Sequence, residues 1–154
     1  MEIRRATLWD AIKIAKLWEQ QIEEKPLFLF KSNDKELERF YINIQFKIKT
    51  EVVCVAEEKE EIVGYISGKT YNRKYGSSHL IGLCENLYVI PKYRNFEASS
   101  KLMNTAVELL KQKGVEEIQF ITLPELRTYR AMRERQGYKP VFAIYCENLN
   151  GYND

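Results

Sequence analysis

ENLYVIPKYRNFEASSKLM, residues 85–103, decides how this chain is read. Leu87 to Ile90 is an apolar run that suits a strand, and Pro91 ends it. Lys92 and Arg94 make the following turn basic, and from about Glu97 apolar residues recur at helical spacing. Such a turn leaves the first helical N–H groups unbonded and aimed at whatever anion docks there. Glu97 stands inside it. Either its carboxylate faces the docked anion, or Asn95 caps the helix and Glu97 is a favourable first-turn acid pointing into water. In the first case an unscreened carboxylate roughly 4–8 Å from a phosphate costs about 2–4 kcal/mol at an effective dielectric of ~20. That is a roughly 30- to 1000-fold loss of affinity. Arg94 and Lys101 are close enough in sequence to offset it.

Working outward, the strand begins near residue 79 and the helix runs to about residue 113. Leu102, Met103, Ala106, Val107, Leu109 and Leu110 form its apolar face, and Gly114 stops it. Downstream, residues 115–122 read as a strand, 124–136 as a short basic helix stopped by Gly137, and 139–149 as a final strand. Upstream, residues 2–7 suit a short strand, and Thr7 or Asp10 can cap a helix that continues to about Glu24. Residues 26–34 form an aromatic loop. Asp34 can cap a second helix with Leu37, Phe40, Tyr41, Ile44 and Ile48 on one face. Residues 51–58 and 61–71 read as two strands joined tightly at Lys59-Glu60. This alternation predicts an α/β fold: a mixed central sheet of about six to seven strands flanked by about four helices. Residues 1–150 are expected to form one domain, with 151–154 a loose tail.

The chain has 154 residues and a net charge of only +2, with both signs interspersed. That argues against nucleic acid as partner, because no strong basic field is present. No apolar run is long enough to span a bilayer, so no membrane partner is expected. The opening MEIRRATLWD turns polar at once and lacks the apolar core of a signal peptide, so a cytoplasmic location is expected. Cys54, Cys84 and Cys146 lie in apolar runs with spacing that suits neither disulfides nor a metal, and they read as buried free thiols. His79 is the single histidine, which leaves little room for a Ser–His–Asp triad or a histidine-rich metal site.

The element order, with LYVIPKYRNFEASSKLM after the fourth strand, resembles the GNAT superfamily of acyl-CoA-dependent N-acyltransferases. IRRATLWDAIKIAKLW is similar to that family's opening strand and first helix, EEIVGYISG to its third strand, and residues 133–138 to the end of its fourth helix. The resemblance covers nearly the full chain. It implies acetyl-CoA as co-substrate, held along the fourth strand by the backbone of Leu87, Tyr88 and Val89. It also implies a diphosphate on the turn and first helical turn, Arg94, Asn95, Phe96, Glu97, Ala98, Ser99 and Ser100. Glu97 and Ser99 stand where the family has glycines, which let backbone approach phosphate closely.

The family's proton-donating Tyr, four residues before the glycine of the last helix, corresponds to Arg133, and its upstream Asn to Leu126. Arg133 cannot give up a proton at neutral pH, but it can stabilise a departing thiolate. Tyr129, one helical turn earlier, is the alternative phenol. Glu85 is the candidate base. By strand alternation it shares a face with residues 87 and 89, and it can accept the amine proton if partial burial raises its pKa. The alternative is an ion-paired or solvated strand residue. Phe28 and Phe30 are candidate acceptor-pocket residues, whereas Phe40, Tyr41 and Phe46 have the spacing of core packing. Glu23 and Glu24 either attract an amine or form a solvated helix end.

Two readings follow. The first is an N-acetyltransferase moving an acetyl group from acetyl-CoA to a primary amine, on a small molecule or peptide, by direct attack with both substrates bound. The second is an inactive GNAT-like module that binds a ligand or partner. No metal is implied, and a homodimer is a weak expectation of the resemblance. A nucleic-acid binder using the basic helix at residues 127–135 is a third, less favoured class.

Overall fold

The computed structural model describes residues 1–24, 33–73, 79–121, 131 and 133–140. Five strands occur among them: β1 (Glu2–Arg5), β2 (Val52–Glu58), β3 (Glu61–Asn72), β4 (Leu80–Val89) and β5 (Glu117–Phe120). They form one sheet in the order β1-β2-β3-β4-β5, antiparallel except for the parallel pair β4 and β5. The helices are α1 (Ala11–Glu24), α2 (Asp34–Thr50) and α3 (Phe96–Gln112), with a further helical stretch ending at Arg135. The mixed α/β sheet is as expected, with five strands where six to seven were anticipated. The run expected as the last strand falls almost wholly outside the described residues, as do Cys146, Leu126 and residues 151–154.

Each face of the sheet carries its own core. Val52, Cys54, Ala56, Val63, Ile66, Cys84 and Val89 pack against Ala98, Leu102, Met103, Ala106 and Leu110 of α3. On the other face Val53, Val55, Tyr65 and Tyr88 meet Ala11, Ile14 and Leu17 of α1 and Ile44 of α2. α3 follows from its sequence: apolar residues recur on one side, Asn95 accepts a hydrogen bond from the Ala98 N–H at 2.7 Å, and Gly114, at φ +82°, takes the left-handed conformation that ends it. Lys59 and Glu60 both have positive φ, as a two-residue hairpin loop requires.

Some expectations needed changing. α2 is capped by Asn33, whose Oδ1 accepts the Glu36 N–H at 2.9 Å, so Asp34 is its first helical residue and not its cap. Phe46 is 62% exposed, because it lies on the side of α2 opposite Ile44, and it is no part of the core. Asp10 does not start α1 on its own. It closes a preceding 3-10 turn by accepting the Thr7 N–H at 2.7 Å and pairs with Arg4 at 2.8 Å.

Candidate active site

β4 is the element around which everything else is arranged. Its pairing with β5 ends at Cys84↔Phe120, while its pairing with β3 continues to Val89↔Gly64. Among the described residues, the last five of β4, 85–89, therefore have a partner strand on one side only, and the open side is called the gap below. Gly64 permits the close approach there, since a Cβ on it would lie 2.9 Å from the Tyr88 carbonyl oxygen.

A bulge sits where β5 leaves. Cys84 faces Gly68 and Asn86 faces Ser67, so Glu85 is an extra residue on β4. The bulge reverses the alternation. Before it, the carbonyls of Leu80 and Cys84 point to β5, accepting N–H groups of Glu116 (2.8 Å) and Ile121 (3.2 Å). After it, the Ile90 N–H donates to the Val63 carbonyl at 2.9 Å, so Val89↔Gly64 and Leu87↔Ile66 are the pairs that exchange no bonds with β3. The N–H and C=O groups of Leu87 and Val89 thus face the gap left by β5. Tyr88, between them, has its backbone turned to β3. Of the three residues whose backbone was expected along a ligand, Leu87 and Val89 turn theirs to the gap and Tyr88 turns its own to β3.

Side chains of this chain already reach that edge. Gln21 of α1 donates to the Leu87 carbonyl at 3.4 Å, and its own Oε1 accepts the hydroxyl of the fully buried Tyr65 at 2.8 Å. Arg94 donates through Nε to the Val89 carbonyl at 2.7 Å and grips Glu24 with both terminal nitrogens. Its guanidinium lies 5.3 Å from the centre of the Tyr88 ring, whose hydroxyl donates to Glu24 at 3.2 Å. Burial first, and then the Glu24 carboxylate, push the Tyr88 hydroxyl pKa up. Glu24 is therefore an ion-pair partner rather than a solvated helix end. Gln21 was not singled out from sequence; its place on the inner side of α1, one turn before Glu24, was the available signal.

Beyond Arg94 the chain enters α3. The first-turn N–H groups lack helical partners, and Asn95 takes that of Ala98, which leaves those of Phe96 and Glu97 outward. The Glu97 carboxylate is 69% exposed and pairs with Lys101 at 2.5 Å, one turn on. Both line a depression of about 280 Å³ with Tyr93, Asn95, Met1 and Glu58. Met1 and Glu58 belong to the β1–β2 side of the sheet, opposite the β4–β5 gap, so the acid is turned away from the gap. Ser99 is buried, and Ser100 accepts a hydrogen bond from Gln136 at 3.3 Å. The other amide atom of Gln136, Oε1, is buried without a partner among the described residues.

Arg133 reaches the same side. Its guanidinium lies 4.2 Å from the centre of the Phe120 ring and 3.9 Å from Met103 Sδ, at the level where Phe120 pairs with Cys84. It thus stands where the gap opens. Burial, only partly opposed by Arg133, pushes the Cys84 thiol up to about 12, so that sulfur stays protonated.

Glu85 is placed otherwise than expected. The bulge turns it to the α2 face while Leu87 packs on the α3 side, so the two do not share a face. Its carboxylate is bonded by Lys47 of α2 and lies 2.9 Å from Lys69 of β3. Burial pushes its pKa up, but the two lysines outweigh that and hold it below the ordinary value. This is the reverse of what a general base at neutral pH needs. Tyr129, Phe28 and Phe30 lie outside the described residues.

A parallel pairing that ends beside a helix start while one strand runs on, its outer backbone met by no strand among the described residues, is a specific arrangement, and comparison with known proteins agrees with it. The model of the acetyltransferase (GNAT) family matches residues 14–138. The chain belongs to the GNAT family. Solved GNAT-like structures share its fold over nearly the whole length. A predicted acetyltransferase from Clostridium acetobutylicum, solved with acetyl-CoA, matches at TM-score 0.79 and 15% identity, covering 97% of this chain and 96% of its own. An aminoglycoside N-acetyltransferase in complex with CoA matches at TM-score 0.77 and 13% identity, covering 96% and 93%. A protein described as a transcriptional regulator from Bacillus halodurans matches at TM-score 0.77 and 20% identity, covering 96% and 99%. No curated protein sequence matches. Among the described residues of this GNAT protein, no helix is long and apolar enough to cross a membrane and no cluster of His, Cys, Asp or Glu is placed to hold a metal ion.

Proposed function

We propose that this GNAT protein is an N-acetyltransferase that uses acetyl-CoA and acts on a primary amine in the cytoplasm. The observation that carries this reading is the edge of β4: Leu87 and Val89 present backbone donors and acceptors to a gap that opens beside the start of α3. The donor set fits the co-substrate. Alternating N–H and C=O groups match an arm containing amides, and the N–H groups of Phe96 and Glu97 with the Arg94 guanidinium match a diphosphate. Ala98, Ser99 and Ser100 keep that end of the site small. With Glu97 turned to Lys101, the anionic neighbour costs little, because it is exposed and screened.

Acetyl-CoA supplies the activated acyl group. The chain's part is to hold the amine against it. The amine nitrogen bonds to the acyl carbon, the carbon–sulfur bond breaks, and the proton lost by nitrogen balances the one gained by the thiolate, through solvent. Arg133 lies at the opening of the gap, where its charge favours a departing thiolate. Glu85 orders the two lysines instead of taking the proton. Tyr129 is retained as the phenol candidate, and Phe28 and Phe30 as acceptor-pocket candidates.

The second reading, a GNAT-shaped binding module without catalysis, draws on one observation: Gln21 and Arg94 already occupy the Leu87 and Val89 carbonyls. One assay separates the two. Thiol release from acetyl-CoA should appear with at least one primary amine in a panel. A rise in melting temperature with acetyl-CoA but no thiol release with any amine selects the binding module; neither signal removes both.

A further inference from the structure

Three ionic side chains meet at the bulge in β4. Lys47, on the inner side of α2, and Lys69, on β3, both bind Glu85; the lysine side chains are 15% and 43% exposed and that of Glu85 is 16%. Beside them Asn86 donates to the hydroxyl of the buried Ser67 at 3.1 Å. These groups share the α2 face of the sheet, level with the last β4–β5 pair, Cys84↔Phe120. Among the described residues, they are charged side chains beside the start of the gap on this face.

The charges do not cancel. Two ammonium groups face one carboxylate, which stays ionised, so these three side chains together carry one net positive charge. Glu51, one turn after Lys47, keeps its negative charge, but its carboxylate is directed onto the Thr70 N–H at 3.2 Å and pairs with neither lysine. Each ammonium has three N–H donors and spends one on Glu85. Donors and charge are therefore left over, most accessibly on Lys69. A site meant for polyamines or other polycations needs the opposite sign, because like charges brought together in a half-buried place repel strongly.

We infer that the acceptor is a small amine bearing its own anionic group, a carboxylate or phosphate, which docks on Lys69 and Lys47 at the β4 bulge. The inference rests on the acetyltransferase reading. Glu85 acts through the lysines: it holds both ammonium groups at the mouth of the gap and keeps the cluster from accumulating two positive charges in a half-buried place.

The test uses matched acceptors on the full-length protein with acetyl-CoA: β-alanine against β-alaninamide, and phosphoethanolamine against ethanolamine. The anionic member of at least one pair should be favoured about tenfold or more in kcat/KM, the order given by one charge-assisted hydrogen bond. The pair that responds tells carboxylate from phosphate. Lys69→Met should bring that ratio towards one, Lys69→Arg should keep it, and added salt should lower it. Equal use of both members, or preference for the neutral ones or for polyamines, overturns the proposal while leaving acetyl transfer intact. If no amine releases thiol, the acetyltransferase reading fails. The anion preference is then read from melting temperature with CoA present, where β-alanine or phosphoethanolamine must stabilise wild type more than its neutral partner and Lys69→Met must not respond; equal shifts in both pairs overturn it.

Discussion

Glu97 and Glu85 are both carboxylates on the decisive stretch, and each is placed by lysine. At Glu97 the partner is local: Lys101 is one turn ahead on an exposed helix surface, and the pair lies on the β1–β2 side of the helix start. Glu97→Gly should therefore leave the dissociation constant of acetyl-CoA within about threefold of wild type, by isothermal titration, since the charge removed is screened. A tenfold tightening would put the carboxylate against the diphosphate after all. At Glu85 the partners are distant in sequence and half-buried. Its folded pKa lies below the unfolded value of about 4.3, so its pairing contributes stability that is complete above that pH. The contribution is lost as pH falls through the folded pKa. Glu85→Gln should cost about 1–2 kcal/mol at pH 7, after allowance for partial exposure, and less near pH 3, below the unfolded pKa. Urea unfolding at the two pH values measures this; an equal cost at both would mean that the ion pairs contribute nothing.

At the scale of elements, what can be read from sequence divides by range. α3 was legible because its apolar spacing, its Asn95 cap and its Gly114 stop are all local, and so was the hairpin at Lys59-Glu60. The bulge was not. It arises from how β4 fits Ser67 and Gly68 on the preceding strand, and without it alternation puts Glu85 on the side of Leu87. The cap of α2 differs by one residue, because Asn33 and Asp34 are equally good acceptors and apolar spacing does not select between them. Part of the candidate site was legible as local sequence: Leu87, Val89, Arg94 and the start of α3. Gln21, Lys47 and Lys69 come from other elements and needed the fold. The cap itself gives a prediction. Asn95→Ala should destabilise by about 0.5–2 kcal/mol in urea unfolding, the usual loss of a helix cap. It also frees the Ala98 N–H beside those of Phe96 and Glu97, so acetyl-CoA affinity should hold or rise. A large loss of affinity with unchanged stability would mean that the Asn95 side chain serves the ligand and not the helix.

For the whole molecule, the two faces of the sheet meet at Arg94. Glu24 ends α1 on one face, Arg94 leads into α3 on the other, and Tyr88 lies between them with its hydroxyl on the same carboxylate. A diphosphate at the start of α3 competes with Glu24 for that guanidinium, so ligand binding and the attachment of α1 draw on one cation. Acetyl-CoA at a hundred times its dissociation constant should stabilise the fold by about 2.7 kcal/mol, which for a domain of this size is a rise of roughly 5–10 °C in Tm. Glu24→Gln removes the competing charge. Its apo protein should lose up to about 1 kcal/mol, as expected for a partly exposed ion pair, while its affinity for acetyl-CoA rises severalfold, so the ligand-induced shift at a fixed subsaturating concentration is larger than in wild type. Thermal melts over an acetyl-CoA series on both proteins decide it. A smaller shift in the variant would mean that Glu24 holds Arg94 in the geometry the ligand needs, making the ion pair part of the binding site and not its competitor.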